Sequence, residues 1–289
     1  MRVLVTGAGG QLGTSLLKTA PPNADIHAFT SQALDVTREE DIAKAFAAVQ
    51  PEIVINAAAY TAVDKAETET GRAFAVNADG PEYLAKAAQQ NHARLIHIST
   101  DFVFDGLKSR PYLPTDVPHP LGVYGLSKAE GEKRVRTVLG NEVVIVRSGW
   151  VYAAEGRNFM KTILRLLAEK ERLAVISDQV GTPTWAVSLA QLLWRLVQKS
   201  AVRGIHHWSD AGVASWYDFA VAIQEEALGF GLLKKVIPIT SIATEDYPLP
   251  ARRPAYSVLD KQSAIAETGI TPTHWRVSLR NMLRELGNA

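Results

Sequence analysis

The sequence predicts an α/β fold in which a doubly wound, mostly parallel sheet is followed by a smaller C-terminal lobe. In the first half, short apolar runs alternate with stretches of helical periodicity. Such alternation builds right-handed βαβ units, whose parallel sheet is covered by helices on both faces. After about residue 150 the pattern changes to helices separated by short segments rich in Pro and aromatic residues. We therefore divide the chain into residues 1–150 and 151–289.

The individual elements follow from these patterns. The strand candidates are Arg2–Gly7, Ile26–Ser31, Glu52–Ala59, Arg94–Thr100 and Glu142–Gly149. Between the second and third strands a helix is predicted over Thr37–Gln50, where Thr37 and Glu40 have the spacing of a capping box. The helix candidates of the second part are Phe159–Leu173, Trp185–Ser200, Trp216–Leu228 and Val277–Leu286. We interpret residues 151–289 as mainly a substrate-binding lobe, with some segments returning to the main sheet.

Composition excludes several classes of function. The chain has 289 residues, of which 47% are hydrophobic and 21% charged, as is usual for a globular protein with a substantial core. A formal net charge of +1, without a dense Lys/Arg run, argues against nucleic-acid and membrane-surface binding. The absence of Cys rules out disulfides and thiolate chemistry. No secretion signal or membrane-spanning apolar run is visible, so we expect a cytoplasmic protein.

The segment "TGAGGQLG" (Thr6–Gly13) has three regularly spaced glycines, directly after the first strand and before a helix that we expect to begin near Thr14. Glycines here permit a tight turn and let backbone N–H groups approach a pyrophosphate at the positive end of the helix. The pattern predicts a Rossmann-type dinucleotide-binding domain over residues 1–150. The cofactor-binding residues predicted from this loop are Gly7, Gly10, Gln11, Leu12 and Gly13.

The end of the second strand bears on the choice of cofactor. NAD-binding proteins commonly place an acid there to accept hydrogen bonds from the ribose 2′-hydroxyl. The segment reads "FTSQALDV", in which Thr30 and Ser31 could donate to a 2′-phosphate and Asp35 and Val36 could flank the adenine. No Arg occupies the strand end. We therefore expect a mild preference for NADPH, with NADH as an alternative.

Tyr124 and Lys128 lie four residues apart in "VYGLSKAEGEK". On a helix this spacing puts both side chains on one face, with Cβ atoms about 5–6 Å apart. A phenol and an ammonium so placed can act on one small target, but a surface pair formed by chance has the same spacing. The motif alone does not choose between these interpretations.

Together with the glycine loop and the Tyr/Lys pair, the segments "NAAAYT" and "STDFVFDG" resemble the extended short-chain dehydrogenase/reductases. More specific motifs are similar to those of the dTDP-4-dehydrorhamnose reductase family, and they cover nearly the whole chain. These motifs are "TAVDKAE" (Thr61–Glu67), "STDFVFDG" (Ser99–Gly106), "VYGLSK" (Val123–Lys128), "SGWVY" (Ser148–Tyr152), "SDQVGTPT" (Ser177–Thr184) and "ARRPAYSVLD" (Ala251–Asp260).

The resemblance implies NADPH-dependent reduction of the 4-keto group of dTDP-4-dehydro-β-L-rhamnose, a nucleotide sugar. It implies that Tyr124 donates the proton, that Lys128 keeps the phenol acidic and binds the nicotinamide ribose, and that Thr100 binds the same ketone oxygen. By the same resemblance, Ala59, Tyr60 and Thr61 lie along the cofactor. The substrate-binding residues that it implies are Asp101, Trp150, Asn158 and Arg253, with Arg252, Asp178 and Gln179 as further candidates.

Two positions depart from the family. Phe102 stands where the family usually has Tyr, so a phenolic hydrogen bond is absent. Some relatives form dimers through Mg²⁺ held partly by a Glu in the first helix, where this chain has Ser15. Mg²⁺ is thus implied only by the resemblance, so we assign no metal-binding residues and expect a monomer or weak homodimer. Two other functions stay open: a non-catalytic NADP-binding regulatory subunit, and a reductase or epimerase acting on another nucleotide sugar.

Overall fold

The computed structural model describes residues 1–287, in which strands and helices alternate along the first half. The first half contains β1 (Arg2–Thr6), α1 (Gln11–Lys18), β2 (Asp25–Phe29), α2 (Glu39–Val49), β3 (Ile53–Asn56), α3 (Val63–Ala66), α4 (Thr70–Phe74), α5 (Gly80–Gln90), β4 (Arg94–Thr100), α6 (Val123–Leu139) and β5 (Val144–Ser148). The second half contains β6 (Val151–Tyr152), α7 (Phe159–Glu169), β7 (Leu173–Ile176), β8 (Val180–Gly181), β9 (Thr184–Trp185), α8 (Ala186–Gln198), β10 (Gly204–His207), β11 (Ala214–Ser215), α9 (Trp216–Gly229), β12 (Ile239–Ile242), α10 (Gln262–Thr268) and α11 (Trp275–Gly287).

The main sheet has six strands in the order β10-β5-β4-β3-β1-β2, and every neighbouring pair is parallel. The predicted doubly wound α/β fold is thus confirmed. Chain order reverses between β1 and β3, which are adjacent in the sheet although β2 lies between them in sequence. Ligands of open α/β sheets bind at such a switch point, outside the carboxyl ends of the strands.

Helices cover both faces of this sheet. On one face, α1 and α8 pack on β1 and β3 in a cluster that includes Val3, Ile55, Leu16, Leu189 and Leu193. The other face is covered by α2, α5 and α6. Because strands buried on both sides need apolar residues on both faces, β1, β3 and β5 each contain an uninterrupted apolar run: VLV, IVI and VIV.

The remaining elements of the second half form a separate core. Helices α7, α9 and α11 bury Ile163, Leu167, Phe219, Ile223 and Leu279 against one another. Three elements after residue 150 return to the main sheet: β10 becomes its sixth strand, α8 packs on α1, and Ala264 of α10 joins the same core cluster. Among residues 1–287, no helix is both long and apolar enough to cross a membrane.

Three of the differences from the predicted bounds have a clear physical reason. Helix α1 begins at Gln11 rather than near Thr14, because the Thr14 amide already donates to Gly10 O. The capping box predicted at the start of α2 is not formed, since the Thr37 hydroxyl donates to Asp35 Oδ1 at 2.8 Å and the helix begins at Glu39. Helix α7 ends at Glu169, because the residues that follow form β7 alongside β12.

Candidate active site

A cavity of about 630 Å³ lies where the carboxyl ends of β1, β3, β4 and β5 meet the second lobe. The fold brings residues from distant parts of the chain to its wall. Of the predicted site residues, those lining the cavity are Gly10, Gln11, Leu12, Ala59, Thr61, Thr100, Asp101, Tyr124, Lys128, Trp150, Asn158 and Arg253.

The glycine loop fits the pyrophosphate of a dinucleotide. Gly7 has a φ of +70°, and a Cβ there would lie 2.6 Å from Ala57 O, so only glycine permits this turn. A Cβ on Gly13 would lie 2.3 Å from Gly7 O, which explains how α1 comes so close to the loop. Gly10, at the uncapped N-terminus of α1, lines the cavity. The backbone N–H groups at this helix end are suited to an anionic group.

The residues predicted at the adenine end lie away from this cavity. Thr30 and Ser31 are exposed just after β2, with the Thr30 methyl group beside the glycine loop. The Asp35 carboxylate accepts hydrogen bonds from the backbone and hydroxyl of Thr37. Val36 is buried in the sheet core, so its side chain is not available to flank an adenine.

Tyr60 also does not line the cavity, unlike its neighbours Ala59 and Thr61. Its hydroxyl donates to Glu69 Oε2 at 3.1 Å, and its amide donates to Asn77 Oδ1 at 2.9 Å. The side chain therefore points towards α4 rather than into the cavity. Any contact of Tyr60 with a cofactor would come from its backbone.

Thr100, Tyr124 and Lys128 all line the cavity. Thr100 is the last residue of β4, and Tyr124 and Lys128 lie one turn apart on α6. Lys128 Nζ donates to Ile98 O at 2.6 Å, which fixes the ammonium against the end of β4. The Phe102 ring packs edge-on against Tyr124, with ring centroids 5.6 Å apart. The two sequence motifs thus form one site, in which Phe102 contributes packing.

Tyr124 is strongly biased towards its protonated form. Burial raises the pKa of its phenol to about 12, although the hydrogen bond with Thr100 acts to lower it. A protonated phenol is the state that a proton donor needs at neutral pH.

Lys128 lies one helical turn before Glu132, which forms a buried ion pair with Arg147. Burial lowers the pKa of its ammonium to about 8, while the negative charge of Glu132 acts to raise it. Glu132, one turn further along α6, receives Arg147 Nη2 at 2.6 Å and Nε at 2.9 Å. The Ser99 hydroxyl also donates to Glu132. This network joins α6 to β4 and β5, and it was not predicted from the sequence.

Asp101 follows Thr100 and is fully enclosed. Burial raises the pKa of its carboxyl to about 6, against the hydrogen bonds with Ser257 and Thr100. Thr100 Oγ1 donates to Asp101 Oδ1 at 3.1 Å. Ser257 lies in the motif that begins at Ala251, so this contact joins both lobes at the cavity.

Two stacked tryptophan side chains line the cavity where it meets the core of the second lobe. The Trp150 indole stacks on Trp216, with ring centroids 3.4 Å apart and planes 2° from parallel. Trp150 has a φ of +52°, a conformation unusual for a bulky residue, and its carbonyl accepts from Thr184 N. Trp216, predicted from the sequence only as the start of a helix, also lines the cavity.

Asn158 and Arg253 line the cavity but are engaged by other residues. Asn158 caps α7 through Lys161 N and donates to Gln11 Oε1 at 2.8 Å. Arg253 forms a two-bond ion pair with Asp64, another lining residue, which was not predicted as part of the site. Asp64 belongs to the quoted "TAVDKAE" motif, which was the available signal.

The further substrate candidates lie elsewhere. The Asp178 carboxylate accepts from Thr244, and Gln179 Oε1 accepts from Trp216 Nε1 at 3.2 Å. Neither residue lines the cavity, and Arg252 is exposed outside it. Gln179 therefore acts on the site only through the aromatic pair.

The arrangement gives no support to a magnesium site in the first helix. Ser15, which stands at the position of the glutamate in some relatives, is buried and presents no carboxylate. In the part of the chain that the structure describes, no three His, Asp or Glu residues are grouped so as to hold a metal ion. His206 and His207 hydrogen-bond in different directions, to Ser263 and to Tyr112 O.

Comparison with known proteins identifies the family. The sequence model of the family described as RmlD substrate binding domain matches residues 1–288. A dTDP-4-dehydrorhamnose reductase from Aggregatibacter actinomycetemcomitans is 42% identical over 288 residues, which cover 97% of this chain and 98% of that protein. The chain belongs to the dTDP-4-dehydrorhamnose reductase family. The family predicted from the sequence motifs is therefore confirmed.

Other members and more distant structures agree. The spore coat polysaccharide biosynthesis protein SpsK of Bacillus subtilis (strain 168) is 40% identical over 289 residues, covering 100% of this chain and 99% of that protein. A dTDP-4-dehydrorhamnose reductase from Bacillus anthracis str. Ames, solved in complex with NADP, has a TM-score of 0.92 at 35% identity and covers 98% of this chain and 99% of that one. A UDP-glucose 4-epimerase of Thermus thermophilus, with a TM-score of 0.84 at 18% identity over 100% of this chain and 99% of that one, shares the fold alone.

Proposed function

We propose that this protein reduces the 4-keto group of dTDP-4-dehydro-β-L-rhamnose to give dTDP-β-L-rhamnose, with NADPH as the cofactor. The observation that carries the proposal is the full-length family match, combined with Thr100, Tyr124 and Lys128 on one cavity wall. NADPH, when bound, supplies the hydride that adds to C4 of the sugar. The glycine loop, with Gly10 and Gln11 on the cavity wall, would hold its pyrophosphate.

The protein's own residues account for the proton and the charge. As the ketone oxygen gains negative charge, Tyr124 donates its phenolic proton to it, and Thr100 hydrogen-bonds the same oxygen. The phenolate left behind lies in the first turn of α6, where the helix dipole favours negative charge. Lys128 keeps a positive charge nearby, because its pKa of about 8 leaves it mostly protonated at pH 7.

The substrate contacts in this proposal are Asp101, Trp150, Asn158 and Arg253, all of which line the cavity. Trp150 offers an apolar surface for the sugar ring, on an indole already fixed by Trp216. Arg253 offers a positive charge for the diphosphate. Asp101 supplies an acceptor or, near its pKa of about 6, a donor for a sugar hydroxyl.

The finer parts of the prediction remain proposals: a monomer or weak homodimer that binds no nucleic acid and is located in the cytoplasm. Family membership supports a nucleotide-sugar substrate and gives no argument for a macromolecular one. The reductase is favoured over a non-catalytic NADP-binding subunit, because a subunit that only binds nucleotide has no use for a proton donor beside the cofactor loop.

A substrate panel tests the proposed function. We expect NADPH oxidation with dTDP-4-dehydro-β-L-rhamnose, and NMR of the product should show dTDP-β-L-rhamnose. The panel should include the UDP analogue and other 4-keto nucleotide sugars, each with NADPH and with NADH. Faster turnover of a different sugar would assign the chain to another nucleotide-sugar reductase. No turnover of any, with NADPH still bound, would favour the regulatory subunit.

A further inference from the structure

Part of the cavity wall is formed by an ion pair between distant parts of the chain. Asp64, in α3, receives Arg253 Nη1 at 3.1 Å on one oxygen and Arg253 Nη2 at 2.8 Å on the other. The Ala251 amide also donates to Asp64 Oδ1 at 3.2 Å. The carboxylate thus binds both a side chain and the backbone of the segment that carries Arg253.

This pairing leaves one edge of the guanidinium unused. A guanidinium has an end edge, formed by Nη1 and Nη2, and a side edge, formed by Nε and Nη2. Asp64 takes the end edge, and the other Nη1 hydrogen goes to Ala251 O at 2.9 Å. Within residues 1–287, Arg253 Nε and the second Nη2 hydrogen make no hydrogen bond. This side edge can still bind two oxygens of one anion.

The pair is a fixed part of the cavity wall. Both residues line the cavity, and 18% of the Arg253 side chain remains accessible. The hydrogen bonds from Arg253, and then the Ala251 amide, hold the pKa of the Asp64 carboxyl below its usual value, so it is charged at neutral pH. Because two parallel bonds define the plane of the guanidinium, Asp64 determines where its side edge lies.

We propose that Asp64 is a positioning residue, which holds Arg253 end-on so that the side edge of the guanidinium binds the diphosphate of the nucleoside-diphosphate sugar. This inference rests on the proposed function and names the group that orients its diphosphate-binding arginine. A neutral or displaced partner leaves the arginine in place but frees its plane, so diphosphate affinity falls while the cofactor and the proton donor are unaffected.

The test measures binding of dTDP and of NADPH separately, by calorimetry, in the full-length protein and its variants. Asp64→Asn should weaken dTDP binding about tenfold, because the asparagine holds only one guanidinium nitrogen as an acceptor. NADPH affinity should stay within about twofold, and in turnover KM for the sugar should rise while kcat changes little. Glu142→Gln, which removes an exposed carboxylate paired with Arg203 on the surface, is the matched control and should change neither affinity.

Two further variants complete the test. Arg253→Lys should weaken dTDP binding by itself. In the double variant, adding Asp64→Asn should lower the dTDP affinity by less than about a further twofold, because lysine has no planar edge for Asp64 to orient. Asp64→Glu keeps the charge but moves the carboxylate, so it should also weaken dTDP binding; it decides the matter if Asp64→Asn does not fold.

Several results would overturn the proposal: dTDP affinity of Asp64→Asn or Asp64→Glu within twofold of wild type, tighter binding in Asp64→Asn, or an equal loss of NADPH affinity. Tighter binding would mean that Asp64 competes with the diphosphate for Arg253. A wild-type protein that binds NADPH but not dTDP would instead contradict the proposed function.

Discussion

Replacing Lys128 with methionine is expected to remove most activity and, at the same time, to stabilise the folded protein. Lys128 is 2% exposed, and its ammonium donates a hydrogen bond to Ile98 O. Burial lowers its pKa from 10.5 to about 8. At neutral pH the folded protein therefore carries a charge that the unfolded chain would solvate better, and methionine removes this cost while keeping a similar length.

The size of the effect follows from the pKa shift. A shift from 10.5 to about 8 corresponds to about 3 kcal/mol, at 1.36 kcal/mol for each pKa unit. Losing the hydrogen bond to Ile98 O costs about 1 kcal/mol. The expected net gain is about 2 kcal/mol in the free energy of unfolding at pH 7, which raises Tm by roughly 5 °C in a protein of this size.

The direction of the pKa shift determines how the stability difference between wild type and Lys128→Met changes with pH. Because the folded pKa of Lys128 lies below the unfolded value, the wild-type protein bears the full cost below about pH 8. Wild-type stability from this group then rises with pH, and the cost vanishes above about pH 10.5, where both states are neutral. The Tm advantage of Lys128→Met should therefore be largest at pH 7 and shrink as the pH approaches 10.5.

Two measurements check the prediction. Thermal unfolding followed by circular dichroism at pH 7, 9 and 10.5 tests the stability, and steady-state kinetics at pH 7 test the activity. We expect kcat to fall and KM for NADPH to rise, because the positive charge and a ribose contact are lost together. Lys133→Met, on the exposed side of the same helix, is the control and should change Tm little at any pH. A less stable Lys128→Met, or a Tm difference independent of pH, would refute the desolvation argument. Unchanged kcat and KM would instead support a chance pair.

Substitutions at three other positions test the site. Tyr124→Phe should lower kcat by about 10²–10⁴-fold with NADPH affinity nearly intact, and more than about half of wild-type kcat would contradict its role as proton donor. Thr30→Asp should shift the ratio of kcat/KM values from NADPH towards NADH, by adding a 2′-hydroxyl acceptor that repels a 2′-phosphate; an unchanged ratio would mean that the adenine ribose is held elsewhere. Glu67→Ala should cost about 1 kcal/mol of stability and lower kcat, because Glu67 Oε1 accepts a hydrogen bond from the Val123 amide at the start of α6, 2.9 Å away. Glu67→Gln keeps an acceptor oxygen and should restore most of the stability. An unaffected Glu67→Ala variant would rule out this capping role.

The sequence by itself determined the fold class and two parts of the site, the glycine loop and the Tyr124–Lys128 pair. A strand buried on both faces is mainly apolar, and a turn that brings α1 against β1 must be glycine, so β1, β3, β5 and the loop at Gly7 and Gly13 were visible locally. The Tyr124–Lys128 spacing was visible for the same reason, since the period of one helix sets it. Motif resemblance extended this local information to the family.

Local signals failed where a competing contact was stronger. Thr37 has the spacing of a capping box, yet its hydroxyl is taken by Asp35, two residues earlier. Tyr60 stays a predicted cofactor residue, but its hydroxyl is not free for a ligand because it donates to Glu69. In both cases a nearby carboxylate satisfied the hydroxyl, and the sequence pattern does not rank such partners.

Only the tertiary structure decided which distant residues act as pairs. Asp64 meets Arg253 across 189 positions of sequence, and Trp150 stacks on Trp216, although each lies in a motif or element that was recognised separately. The pKa of Lys128, about 8, likewise depends on burial beneath β4 and on Glu132. Contacts and desolvation are properties of the packed interior, and the periodicity of a segment reveals which face is buried but not what lies opposite it.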